Sequence, residues 1–153
     1  GNSASRSNQK SNAIAIGKEA GITSQGAHSV AIGNQAGKTT QGSYAVAVGV
    51  LAGQGSQGSN SVAMGYSAGI SNQAANSVAI GAASVAGYTN STAIGYGAVT
   101  TAANTIQLGA DGTNGVLGAT NAITNVKTSG TLTAGTVTYP NTHGTNGNLL
   151  TTT

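Results

Sequence analysis

Two carboxylates, Glu19 and Asp111, and two histidines, His28 and His143, are the only acidic or imidazole side chains in this 153-residue sequence. General acid–base catalysis needs such groups to converge on one bond, and the separation of a carboxylate pair decides which reaction it can run. His143 lies in a Gly/Asn/Thr-rich tail with no second ligand type nearby, and the absence of cysteine removes thiolate metal sites and disulfides. Three short matches to chemical motifs fail on context. Gly53-Gln-Gly-Ser-Gln-Gly58 fits a dinucleotide-binding glycine pattern, but the residues after it read as a strand and not as the required helix. Gly33-Asn-Gln-Ala-Gly-Lys-Thr39 is one residue short of a phosphate-binding loop. Asn90-Ser-Thr92 is a glycosylation sequon, which says nothing of a bacterial or viral chain. The Asp-rich nonapeptide of calcium-binding β-rolls is missing. No catalytic residue, cofactor or metal ligand is therefore assigned, and the chain reads as a non-enzyme.

The elements that would carry any function are repeats. The unit N-S-V-A-I-G-x-x-A-G-x-x-x-Q-G recurs, with copies at Asn12–Gly17, His28–Gly33, Tyr44–Gly49, Asn60–Gly65, Asn76–Gly81 and Asn90–Gly95, and a degenerate seventh at Asn104–Gly109. The closing glycines fall at positions 17, 33, 49, 65, 81, 95 and 109, so the step is 16 four times and then 14 twice. A fixed period of this kind marks a solenoid. Within each unit large apolar residues alternate with alanine, which is the period of a β-strand. Recurrent glycine and β-branched side chains argue against helix. One unit suits one coil with two strands of about five residues and two turns, and Gly26, Gly42 and Gly58 fall where the chain reverses and positive φ is useful.

Coils stacked about 4.8 Å apart place like over like and make seven coils a rod of roughly 30 Å. On that rod Glu19 and Asp111 are about 28 Å apart, too far to work as a pair within one chain. The larger apolar residues, Ile14, Ile16, Val30, Ile32, Val46, Val48, Val62, Met64, Val78, Ile80 and Ile94, are expected to form the dry interior ladder. The alternating Ala15, Ala31, Ala47, Ala63, Ala79 and Ala93 then form a flat outer row, which copies of the same chain would cover. Asn12, Asn60, Asn76, Asn90 and Asn104 fall at a corner where asparagine tolerates left-handed geometry, and His28 takes the same corner. Of the five tyrosines, Tyr66 and Tyr96 share the position after the closing glycine, as candidate ligand contacts or as packing over adjacent coils.

Composition agrees with a layered, repetitive core. There are 25 glycines, no Phe or Trp and one Met, with 5% charged residues. A net charge of +3 spread over five basic residues lacks the basic stripe that nucleic acid requires. No apolar run is long enough to span a membrane as a helix and no leader opens the chain, so the sequence reads as a piece of something longer that does not itself insert into a membrane.

The N-S-V-A-I-G units resemble the YadA-like head of trimeric autotransporter adhesins over residues 12–110. The resemblance implies an all-β, left-handed parallel β-roll (β-solenoid) assembled as a homotrimer on the outside of a Gram-negative bacterium. It further implies an adhesive head that attaches to extracellular matrix protein, glycan or host cell surface. The units on the longer step exceed the length common in that family, and their added residues are expected to protrude at one edge. Residues 1–11 form an N-terminal segment or an irregular first coil. Residues 111–140 read as a β-rich cap, with Thr131–Tyr139 alternating like a strand up to Pro140, and residues 141–153 as a linker. Lys127–Pro140 resembles linker segments of phage tail fibres, which makes a phage or viral receptor-binding fibre the alternative function. An ice-binding solenoid is a third reading, opposed by threonines at 23, 39 and 40 that do not continue into later coils.

Overall fold

The structure, a computed structural model, describes residues 2–4 and 7–110. The expected strand at Thr131–Tyr139, the cap over 111–140 and the linker over 141–153 lie outside the described residues. Ten short strands and no helix occur among those described: β1 (Ile14–Ile16), β2 (Ser24–Gln25), β3 (Val30–Ile32), β4 (Thr40–Gln41), β5 (Val46–Val48), β6 (Ser56–Gln57), β7 (Val62–Met64), β8 (Val78–Ile80), β9 (Thr92–Ile94) and β10 (Ile106–Leu108). The strands span two or three positions and not five, because turns take up the rest of each coil.

They form two parallel sheets. The first has seven strands in the order β1-β3-β5-β7-β8-β9-β10, and the second has three in the order β2-β4-β6. Register is strict: Val30 pairs with Val46, Ala31 with Ala47 and Ile32 with Val48. The change from the longer to the shorter step leaves that register intact, since Ala79 still lies on Ala93. The result is a parallel β-solenoid in which one repeat makes one coil. Residues 7–10 already belong to this stack, with the Ser7 and Lys10 amides donating to the Ile22 and Gln25 carbonyls.

The interior reverses the expectation from side-chain size. Ala31, Ala47, Ala63, Ala79 and Ala93 are completely buried inside the coil, and Ala15 packs against the same cluster. A second inner row of Ala20, Ala36, Ala52 and Ala68 completes it. Val30, Val46, Val48, Val62, Val78 and Ile80 are only half-buried, and Ile14, Ile16, Ile32, Met64 and Ile94 are exposed. The proposed core ladder and outer row therefore exchange places. Alternation tells that a strand has two faces but not which face is inside. So short a coil closes so tightly that methyl groups fill its lumen, and larger side chains are turned outward.

The coil is spanned by glutamine side chains. Gln25, Gln41 and Gln57 of the second sheet are buried, as is Gln73, which bridges to Gln57. Their side-chain amides cross the lumen to the first sheet: Nε2 of Gln41 donates to the Val30 carbonyl at 2.8 Å, that of Gln57 to Val46 at 2.8 Å and that of Gln73 to Val62 at 2.7 Å. Amides also bond between coils, Gln9 to Gln25 at 3.1 Å and Gln41 to Gln57 at 3.2 Å. The glycine four positions before each glutamine makes room, since a Cβ on Gly37 would lie 2.9 Å from the Gln41 amide. The added residues of the long coil thus build a second sheet instead of a protrusion. In the short coils only the Val85–Val99 bridge remains of it, and Ser91 Oγ with Thr100 Oγ1 at 3.0 Å replaces the glutamine.

Glycine in the Q-G pair serves close approach and not left-handed geometry. Gly26, Gly42 and Gly58 are absent from the positive-φ residues, yet a Cβ on Gly42 would stand 2.4 Å from the Ser59 nitrogen of the next coil. Gln41→Leu is expected to remove the bond across the lumen to the Val30 carbonyl and to leave Gln57 Oε1 without its donor, at a cost of about 1–3 kcal/mol, the range for an unsatisfied buried polar group. Gly42→Ala is expected to be worse, because backbone must move. Urea melts of the two variants against the parent check both, and an unchanged midpoint for Gln41→Leu would refute the strut.

Candidate functional site

No compact catalytic centre is assembled among the described residues. Among the described residues no group of three His, Cys, Asp or Glu side chains approaches metal-binding geometry. Glu19 faces Lys38, with Oε2 2.9 Å from Nζ, and accepts from Gln35 Nε2 at 2.9 Å. Gln54 Nε2 continues the chain to Gln35 Oε1 at 2.6 Å. Lys38 is thus tied to a carboxylate within the short phosphate-loop lookalike, where Gly33 and Gly37 serve coil turns. Gly53–Gly58 runs into strand β6, with no helix after it.

The corner row repeats one left-handed conformation from coil to coil. Asn12, Asn60, Asn76, Asn90 and Asn104 all have φ between 55 and 58°. Asn60 Nδ2 donates to Asn76 Oδ1 at 3.2 Å, and Asn90 to Asn104 at 3.1 Å. Side-chain amides stack well at such a spacing, and asparagine is among the few residues that accept αL at low cost. His28 and Tyr44 adopt the same conformation with φ of 58 and 60° and stack on each other, ring centres 5.1 Å apart. His28 is therefore placed as a turn residue of this corner row.

Two long faces remain as candidate interaction surfaces. The outside of the first sheet is an apolar stripe running the length of the rod, built from the Val/Ile positions and extended by Ile106 and Leu108, which are 73% and 40% exposed. Soluble monomers rarely expose so long a contiguous apolar surface. The outside of the second sheet is polar, carrying Ser24, Thr40 and Ser56 in register. The hydroxyl row is not a regular threonine array, since Ser and Thr alternate and the second sheet stops after β6. Tyr66 and Tyr96, exposed by 62% and 57%, lie just beyond the apolar strands but on different coils, with the Ala82 coil between them. Nothing joins them into one aromatic platform.

The repeating parallel coils with one apolar and one polar flank define the class, a parallel β-solenoid. Residues 89–111 match the YadA head domain repeat in two copies. That match and the parallel coils fit a YadA-like head, and the repeat suggests an adhesin-like surface fibre. No curated protein and no solved structure gives a significant match. What sequence reading missed is the glutamine ladder, although Gln9, Gln25, Gln41, Gln57 and Gln73 recur on the same step as the closing glycines. A polar residue on the repeat's own period was the signal that could have revealed it.

The Glu19 network makes an acid-pH prediction. Its carboxyl is held below the usual carboxylate range, first by the Lys38 hydrogen bond and then by that of Gln35. A group whose folded pKa is depressed stabilises the fold above its unfolded pKa, and that contribution disappears as pH falls through the lowered folded value. The parent should melt higher than Glu19→Gln at neutral pH, and the gap should begin to narrow at the ordinary carboxylate pKa and close below the lowered folded value. Thermal melts between pH 7 and 2 test this, and a constant difference would refute it.

Proposed function

We propose that this chain is the non-enzymatic head of an extracellular trimeric fibre, with residues 12–110 as the head, 111–140 as a cap and 141–153 as a linker onward. It attaches a bacterial surface to matrix protein, glycan or cells. The observation that carries the reading is the apolar stripe on the first sheet. Val, Ile and Met side chains cover all seven coils there, and their burial at roughly 25 cal/mol per Å² favours association with a matching surface. The only surface sure to match it in length and spacing is another copy of itself. Three copies around one axis bury all three stripes together, and the YadA-like repeat supports that number and a left-handed coil. The interface residues are then the Val/Ile rows, while the alanine row holds each coil together from within.

A surface of this kind gains affinity by repetition. Weak contacts repeated along a rod, over three chains and many fibres, add up through effective concentration without any single deep pocket. Sedimentation equilibrium is expected to give a mass near three times 14.6 kDa. Ile32→Glu and Met64→Glu are expected to lower that mass while leaving the strand signal in circular dichroism, and Ala47→Glu to abolish the strand signal itself. A monomeric parent, or a trimer indifferent to Ile32→Glu, overturns the assembly.

A further inference from the structure

The long coils differ from the short ones by the second sheet, and on its outer side lies a trough of about 290 Å³ lined by Lys10, Ser24, Thr40, Gly42, Ser43 and Ser59 among others. Its position matters. The glutamine side chains of this sheet reach through the lumen to the carbonyls of the first sheet, so the two sheets stand back to back. The trough therefore opens on the flank opposite the apolar stripe and stays accessible when that stripe is covered.

Its hydroxyls are available. Ser29, Ser61 and Ser77 spend theirs on carbonyls three positions earlier in their own turns, whereas the side chains of Ser24, Thr40, Ser43 and Ser59 have no protein partner among the side-chain hydrogen bonds of the described residues. These groups come from successive coils and so recur about every 4.8 Å along the axis, close to the length of one pyranose unit in an extended chain. Gly42 adds only backbone to the lining, and the space a Cβ would take there is filled by the Gly58–Ser59 backbone of the next coil. Lys10 is exposed at one end, and among the described residues the one salt bridge engages Lys38 and Glu19, not Lys10. No aromatic or large apolar side chain lines the trough, which disfavours an apolar peptide.

We propose that this trough binds a linear, carboxylate-bearing glycan, one sugar per coil, with Lys10 meeting a carboxylate and the serine and threonine hydroxyls meeting sugar hydroxyls. The inference rests on the attachment reading above and names the class of ligand that the polar flank takes. It also assigns a role to the longer coil: the added residues make the sheet that carries the site.

The test is an amide chemical-shift titration of the full chain with two probes, a hexasaccharide of alternating glucuronic acid and N-acetylglucosamine and an uncharged chitin hexamer. Shifts are expected at Lys10, Ser24, Thr40, Ser43 and Ser59, with the acidic hexamer binding at least tenfold more tightly. Lys10→Gln should erase that preference while leaving chitin binding unchanged. Thr40→Tyr, which fills the trough from an exposed position, should lose both sugars at unchanged mass and melting temperature. Absence of shifts with either sugar, shifts confined to Tyr66, Tyr96 or the Val/Ile stripe, or undiminished binding by Thr40→Tyr would overturn the proposal. A proline-rich peptide that shifts the trough residues when the sugars do not would also overturn it, assigning the trough to protein. Adhesion of protein-coated beads to matrix and cell monolayers separates the two claims. If parent beads adhere but bind neither sugar, the trough fails and the attachment reading stands; if parent beads bind sugar yet adhere to nothing, the reverse holds.

Discussion

The narrowness of the coil governs the rest of the molecule. A lumen that admits a methyl group from each side cannot hold a row of valines, so alanine lines the first sheet inside and the bulky residues are left outside. A core of alanine gains less from leaving water than one of leucine or isoleucine, because the hydrophobic gain follows the apolar area removed. The hydrogen-bonded stacking of coils and the association of whole rods through their outer stripes must carry more of the stability than in an ordinary globular domain. Folding and assembly are thus linked by one geometric limit.

The glutamine strut answers the same limit from the other wall. In the longer coils the second wall carries glutamine, whose side chain reaches the carbonyls of the facing strand. Glutamine fits because its amide can both donate to the facing carbonyl and meet the next amide in the stack. A half-satisfied buried amide is costly, and the ladder offsets only part of that cost: Gln41 Nε2 serves both Val30 and Gln57, while Oε1 of Gln41 and of Gln73 is buried with no hydrogen-bond partner among the described residues. Gly37 and Gly42 complete the device by clearing space for the amide and for the next coil.

Much of this was legible in the residues. The two periods, the strand at each V-A-I, the one-coil-per-repeat arrangement and the αL corner at Asn12, Asn60, Asn76, Asn90 and Asn104 all follow from spacing and residue type. The inside-outside assignment did not, because alternation is symmetric and the usual preference for larger apolar residues inside presumes a core wide enough to take them. The conformation of Gly26 and its equivalents was also misread. A glycine beside a turn suggests positive φ, while here the constraint is contact with the next coil, which depends on stacking that no single repeat displays. The trough is a property of several coils together, and its serines differ from the structural ones at Ser29 and Ser61 only in what surrounds them.

The hydrogen bonds of both sheets run along the rod, since strands lie across it. A pull on one end is therefore carried by the junctions between coils in series, each bearing the whole load, and failure begins at the junction with the fewest bonds. The long coils share that load between two sheets and an amide ladder, as at Gln41 and Gln57. The short ones past Gly81 have one sheet, a single bridge at Val85–Val99 and the Asn90–Asn104 contact. Under tension the rod has a weak end and a strong end, and the polar trough sits on the strong one.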